Sequence, residues 1–400
     1  IACSTKPWSL PPKQACIFAA SSVDAPLGRT ASASLPVAAR KPSKNGWKPM
    51  AYKIFEPSTR ACDTPRRGRK NILPMSKPVA DSRDHVIAFF CVSLNPAIDT
   101  RLVLNEFRTG RVNRVSEVHR TPGGKAAHVA MALRGLGANP RWIGFCGGST
   151  GNELLAGLGP LQIETISVPT VQDTRVNLEI VDSRGEVTEI LEPGGMIAQS
   201  EWCEFQRICS NEFQRTTGGK VVIISGSQPP GVPAEGYASL VNSAHSAGCH
   251  AFIDSSGPPL AKALASGPDF VKINREEAES VTETAIKDPA SAARAARKLL
   301  ACGAKSTAIS LGDRGLVGIQ GHDEPAIHAW TAPLRAKSTV GCGDSALAGF
   351  AFATATGLSF ERSLALAVAC GAANCLATLP ARITQEDVSR IEQSVRVERI

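Results

Sequence analysis

The residues with the clearest chemical promise lie late in the chain, in Thr339-Val340-Gly341-Cys342-Gly343-Asp344-Ser345, followed by the apolar run ALAGFAFATA. Glycines ahead of a helix start let backbone N–H groups converge on an anion, and the helix dipole favours negative charge there. The amides of Gly341, Cys342 and Gly343 could therefore stabilise charge on a transferring phosphoryl group. Asp344, at the head of the helix, could take the proton of an attacking hydroxyl. A purely structural reading of the same residues is an aspartate cap after a glycine turn, worth about 1 kcal/mol to the helix. Other phosphate-binding patterns are missing: there is no G-x-x-x-x-G-K-[ST], and Gly147-Gly148-Ser149-Thr150-Gly151 lacks dinucleotide-fold spacing. Histidine–carboxylate metal motifs are absent from the sequence too.

Such a loop needs a scaffold, and the sequence from His85 onward supplies one. Short apolar runs rich in β-branched residues predict strands at 86–92, 141–145, 221–225, 250–253, 270–273 and 307–310. They are apolar on both faces, as expected of a parallel sheet covered by helices. Helical patterns fall between and after them at 125–136, 200–215, 234–247, 289–302, 344–356 and 360–376. The alternation predicts a doubly wound, mostly parallel α/β fold. Two stretches break it. Residues 173–192 alternate on both sides of a turn at 182–185, a hairpin signal, and residues 100–120 alternate without a helix. These are expected to pair into a small sheet, with strands within 97–120 and 173–192, that acts as a lid.

Charge separates this body from what precedes it. The 400-residue chain carries a net charge of +8, of which residues 1–84 hold +10 and residues 85–400 hold −2. A nucleic-acid-binding domain needs its positive charge on the folded surface, so none is expected here. No run approaches 18 apolar residues, so no membrane span is expected. The twelve cysteines include no C-x-x-C and mostly sit in apolar runs, which reads as free buried thiols. Residues 1–84 are rich in Pro, Ser, Ala, Lys and Arg, without helical or alternating periodicity, and disorder is expected. They read either as an organelle transit peptide or as an extension that is not native, with Met75 as the start. The body is then expected in the cytoplasm, or in a plastid or other organelle if the leader is an address.

Several further motifs occur in a telling order. They are Ser93-Leu94-Asn95-Pro96-Ala97-Ile98-Asp99, Pro122-Gly123-Gly124-Lys125, Thr174-Arg175-Val176-Asn177, Glu192-Pro193-Gly194 and Ser225-Gly226-Ser227-Gln228-Pro229-Pro230-Gly231. Lys272-Ile273-Asn274-Arg275-Glu276-Glu277, Ser310-Leu311-Gly312-Asp313-Arg314-Gly315 and the glycine loop follow. With these motifs the body resembles the PfkB-type carbohydrate kinases of the ribokinase-like family, most of all the 1-phosphofructokinase and tagatose-6-phosphate kinase branch. The resemblance implies roles. Asp344 would be the base, and Gly341, Cys342 and Gly343 the anion hole. Asn95, Asp99, Gly123, Gly124 and His128 would shape the sugar pocket, with Lys125 and Arg175 binding a phosphate already on the sugar. Lys272, Asn274, Ser310, Gly312, Gly315 and Asn374 would serve ATP, and Asn274 and Glu277 would organise Mg²⁺ through water.

The sequence also departs from the family. The usual G-G-K-G-x-N is here Gly124-Lys125-Ala126-Ala127-His128, so alanine replaces a glycine and histidine an asparagine beside the sugar. Histidine changes the donor set and can carry charge. Cys342 stands where the family has a small Ala or Ser, and a helix N-terminus could make its thiol reactive. The expected activity is ATP-dependent phosphorylation of fructose 1-phosphate to the 1,6-bisphosphate. Tagatose 6-phosphate, fructose 6-phosphate or an unphosphorylated sugar are alternative acceptors, and a non-catalytic binding protein on this fold is a second class of reading. A homodimer through the lid is a further expectation.

Overall fold

The computed structural model describes residues 87–400, so the expectations for the basic leader fall outside the described residues. The strands are β1 (Ala88–Ser93), β2 (Ala97–Val103), β3 (Glu117–Gly123), β4 (Pro140–Cys146), β5 (Glu164–Pro169), β6 (Arg175–Val181) and β7 (Val187–Leu191). They continue with β8 (Lys220–Ser225), β9 (His250–Asp254), β10 (Phe270–Asn274), β11 (Thr307–Ser310), β12 (Leu316–Ile319), β13 (Ile327–Trp330) and β14 (Arg396–Arg399). The helices are α1 (Lys125–Gly135), α2 (Gly148–Leu158), α3 (Gln199–Arg215), α4 (Gly236–Ser246) and α5 (Gly257–Leu264). After them come α6 (Arg275–Thr282), α7 (Pro289–Ala301), α8 (Cys342–Ala355), α9 (Phe360–Leu376) and α10 (Gln385–Glu392).

Ten strands form one sheet in the order β14-β13-β12-β11-β10-β9-β8-β1-β4-β5. Pairings from β5 to β11 are parallel, while β12, β13 and β14 add antiparallel strands at one edge. The doubly apolar strands explain the layering. Phe89, Cys91, Val221, Ile223, Phe252 and Phe270 point into one core, which includes residues of α1, α8 and α9. Their neighbours Phe90, Val92, Val222, Ile224, Ile253 and Val271 point into the other, with α3, α4, α5 and α7. Period-2 alternation puts consecutive residues on opposite faces, so a strand buried on both sides must be apolar throughout.

The small sheet is present, in the order β3-β2-β6-β7. Its pairing is mixed: β2 runs antiparallel to β3 and parallel to β6, while β6 and β7 form the expected hairpin. The alternating stretch at 100–120 resolves into two strands flanking a loop, and the second runs on to Gly123. None of the helices among the described residues is long and apolar enough to cross a membrane.

Candidate active site

The C-terminal ends of the parallel strands carry the polar side chains, as open α/β sheets generally do. Asp344 lies in the first turn of α8, and Gly341 caps that helix at φ 79°, a left-handed conformation that suits glycine. Asp99 comes from β2 of the small sheet. Between them stands His128 of α1, 4% exposed, with Nδ1 2.9 Å from Asp344 Oδ2 and Nε2 3.1 Å from Asp99 Oδ2. The first contact has hydrogen-bond geometry; the second is off-line and is an ion pair. Burial opposes a charge on the ring, but the two carboxylates outweigh it and raise the imidazole to about 10. His128 is therefore an imidazolium at neutral pH, compensating both carboxylates. Asp99 is held below the usual range against its own burial, chiefly by His128, with Asn177 Nδ2 donating to its Oδ1 at 2.9 Å.

The glycines beside Asp99 are steric necessities. A Cβ on Gly123 would stand 2.2 Å from Asp99 Cγ. Gly124 caps α1 at φ 83°, and its missing side chain lets α1 start against residues 95–97. Asn95 Nδ2 donates to Pro193 O at 3.0 Å and to Ser227 Oγ at 2.9 Å, tying three of the sequence motifs together.

A second cluster centres on Asp254, fully buried at the end of β9. Lys125 Nζ donates to its Oδ1 at 2.6 Å, and Lys272 Nζ to its Oδ2. Both ammoniums hold this carboxyl below its ordinary range despite burial. Lys125 also reaches Glu277 Oε1 at 3.1 Å; burial lowers its pKa, but Asp254, Glu277 and Asp344 more than reverse that and hold it above the lysine range. The ammonium of Lys272 lies over the anion-hole turn, 2.6 Å from where a Cβ on Gly343 would sit. Asn274 and Glu277 form a reciprocal capping box on α6: Asn274 Oδ1 accepts from Glu277 N at 2.8 Å, and Glu277 Oε2 from Asn274 N at 2.9 Å. Asn274 is thus spent on the helix, and Glu277 keeps Oε1 for the site.

Next to the anion-hole turn opens a cavity of about 310 Å³. Ser310, Gly312, Gly315, Cys342 and Gly343 line it, together with Ala346, Ala367, Val368 and Ala372. Three of the residues expected to serve ATP, Lys272, Asn274 and Asn374, do not line this cavity. Lys272 and Asn274 sit with Asp254 and Glu277. Asn374 faces the glycine loop: its Nδ2 donates to Val340 O at 2.8 Å and its Oδ1 accepts from Ala381 N at 2.6 Å, so it braces the anion hole from behind. Lys125, expected at a sugar phosphate, is paired here with Asp254 and Glu277. Arg175 donates to Glu192 O at 2.6 Å and Asn95 O at 3.2 Å, while its Nε is buried without a partner.

Two site residues escaped the sequence reading. Asp254 ends an apolar strand whose only signal is a carboxylate at a strand's C-terminal end. Asn177 was part of a motif, but its register opposite Asp99 is visible only in the sheet.

Residues 91–385 match the pfkB family of carbohydrate kinases. The chain belongs to that family. The 1-phosphofructokinase of Borreliella burgdorferi is 29% identical over 311 residues, covering 78% of this chain and 98% of the relative. The ATP-dependent 6-phosphofructokinase isozyme 2 of Escherichia coli is 28% identical over 310 residues, covering 76% and 98%. Among solved structures, phosphofructokinase-2 of E. coli in complex with potassium superposes with a TM-score of 0.71 at 28% identity, covering 77% and 98%. Ribokinase of Thermotoga maritima shares the fold, with a TM-score of 0.62 at 21% identity, covering 77% and 99%. As a PfkB carbohydrate kinase the protein is a phosphotransferase with an alcohol acceptor, and ATP is its co-substrate.

Proposed function

We propose that this kinase phosphorylates a ketohexose phosphate, with fructose 1-phosphate as the acceptor. The observation that carries the catalytic part is the convergence of Asp344, from α8, and Asp99, from the small sheet, on one charged histidine. Asp99 orients the sugar hydroxyls, and Asp344 takes the proton of the free primary hydroxyl as its oxygen attacks the γ-phosphorus in line. ADP leaves from the cavity beside α8, and charge developing on the phosphoryl oxygens falls to the amides of Gly341, Cys342 and Gly343 and to Lys272. Among the described residues no three His, Cys, Asp or Glu side chains converge as a metal cage. That suits Mg²⁺, which usually arrives on phosphates and keeps its waters. Glu277 Oε1 is the carboxylate oxygen that would hold those waters, and the ion would neutralise phosphate charge.

The fructose 1-phosphate reading is supported by relatives named for that activity, of which the one above is an example and another, from Xanthomonas campestris pv. campestris, is 34% identical over 267 residues. With Lys125 committed to Asp254 and Glu277, Arg175 is left as the cation for the sugar's phosphate. The homodimer through the small sheet is supported by Val118, Ile190 and Leu191, about half exposed on its strands β3 and β7.

ADP release should be followed with fructose 1-phosphate, fructose 6-phosphate, tagatose 6-phosphate and free fructose, for the wild type and Arg175→Glu. Turnover should be fastest on fructose 1-phosphate, and the charge reversal should damage the phosphorylated acceptors most. Preference for free fructose, or equal loss on every acceptor, would remove the sugar-phosphate assignment.

A further inference from the structure

Two thiols meet in the wall of the nucleotide cavity. Cys342 opens α8 and Cys375 is the penultimate residue of α9, and their sulfur atoms are 3.2 Å apart. Both line the cavity and both are partly exposed. Other cysteines are placed differently: Cys91, Cys209 and Cys370 are sealed in the core, where burial raises their thiols far above the ordinary range. At the pair either sulfur can donate to the other; the hydrogen bond between them brings Cys375 down to about 7 and pushes Cys342 up. Low thiol pKa and access together mark a reactive cysteine, and a resolving partner at contact distance marks a redox pair.

We propose that Cys342 and Cys375 are a reversible redox site whose oxidation to a disulfide shuts the nucleotide cavity. The oxidant is a hydroperoxide. The Cys375 thiolate attacks the terminal peroxide oxygen, the O–O bond breaks, and the departing oxygen takes a proton and leaves as water or alcohol. The Cys342 sulfur then attacks the resulting sulfenic acid; the S–S bond forms, the S–O bond breaks, and hydroxide leaves as water with the Cys342 proton. Two electrons pass from the thiols to the peroxide, and a dithiol returns them by exchange.

The link between this chemistry and catalysis is the anion-hole turn. The sulfurs must close from 3.2 Å to about 2 Å, which draws Cys342 toward α9. Asn374 Nδ2 lies 3.1 Å from Cys342 Sγ while holding Val340 O, so its brace on the turn is disturbed with it. The Cys375 carbonyl accepts from Lys337 N at 2.7 Å, which couples the movement to the 331–341 segment on the cavity's other side.

The effect on turnover rests on the kinase reading, but the formation of the bond does not. The test treats the full chain with hydrogen peroxide, blocks remaining thiols, and maps the peptides by mass. Cys342 and Cys375 should be recovered joined, about 2 Da below the sum of the reduced peptides. ADP release should fall roughly 100-fold, the scale of losing an anion-hole donor. A fluorescent ATP analogue should bind more weakly, a readout that needs no turnover, and dithiothreitol should restore both. Saturating ATP before the peroxide should slow the linkage. In Cys375→Ser, and in Cys375→Ala should the first fold poorly, activity after peroxide should match that variant's own activity before it. Cysteines that stay separately alkylatable overturn the pair. A linkage that leaves nucleotide binding intact, or an equal loss in the variants, overturns the switch.

Discussion

The nucleotide side presents Ala346, Ala367, Val368 and Ala372 with glycines at 312, 315 and 371, whereas the acceptor side, with the phosphoryl-transfer centre beside it, presents Asp99, Lys125, His128, Asp254, Lys272 and Asp344, each in contact with an opposite charge. One side recognises by shape and close backbone approach. The other is a chain of compensated charges in which removing a member leaves its partner buried and unpaired, which is costly. Substitutions on the two sides should therefore fail differently: lost chemistry and stability on the acceptor side, lost ATP affinity alone on the nucleotide side.

The largest separation should come from Lys272→Met. It strips Asp254 of one ammonium and removes a positive charge from the anion hole, so kcat/KM should fall roughly 10²- to 10³-fold. Thermal unfolding should also move to lower temperature; normal kinetics in a folded variant would break the contrast. Gly123→Ala comes next, because its Cβ must displace the Asp99 carboxylate. Overpacking of about 1–3 kcal/mol should raise the acceptor KM roughly ten-fold or more, with the KM for ATP unchanged. Ala372→Leu should invert that pattern, raising the KM for ATP roughly ten-fold by filling the cavity while sparing the acceptor. Steady-state titration of each substrate against the other distinguishes the two.

A different readout, pH, tests His128. Its folded pKa, about 10, lies above the ordinary 6.5. The stability this provides is full below pH 6.5 and is lost as pH rises through about 10. His128→Asn has no such group, so melting temperatures of wild type and variant should draw together or cross over that window. A constant difference across it would show that the ring carries no charge there.

The same contrast governs what could be read from the sequence. Six of the parallel strands were legible because burial leaves them almost wholly apolar, whereas the half-exposed edge strand β5 was not, and the six anticipated helices appear within about two residues of the expected bounds. The antiparallel edge strands β12, β13 and β14 were not anticipated either. Within the site, Asp344 and the glycine turn announce themselves because capping and anion binding are local. Asp254 does not, because its partners Lys125 and Lys272 lie 129 and 18 residues away. Lys125 was legible as a site cation, but the carboxylates that set its direction come from β9 and α6. His128 was visible as a departure from the family; its role as a bridge needed both sheets in place. Cys342 and Cys375, 33 residues apart, meet only because α8 packs on α9.

Asp344→Asn is the most direct test of the proposed chemistry, because the amide keeps the size and a hydrogen-bonding oxygen but cannot take up the acceptor's proton. Measured as ADP release at saturating ATP and fructose 1-phosphate, kcat should fall roughly 10²- to 10⁴-fold, with both KM values close to wild type. Turnover by the asparagine variant at the wild-type rate would contradict it.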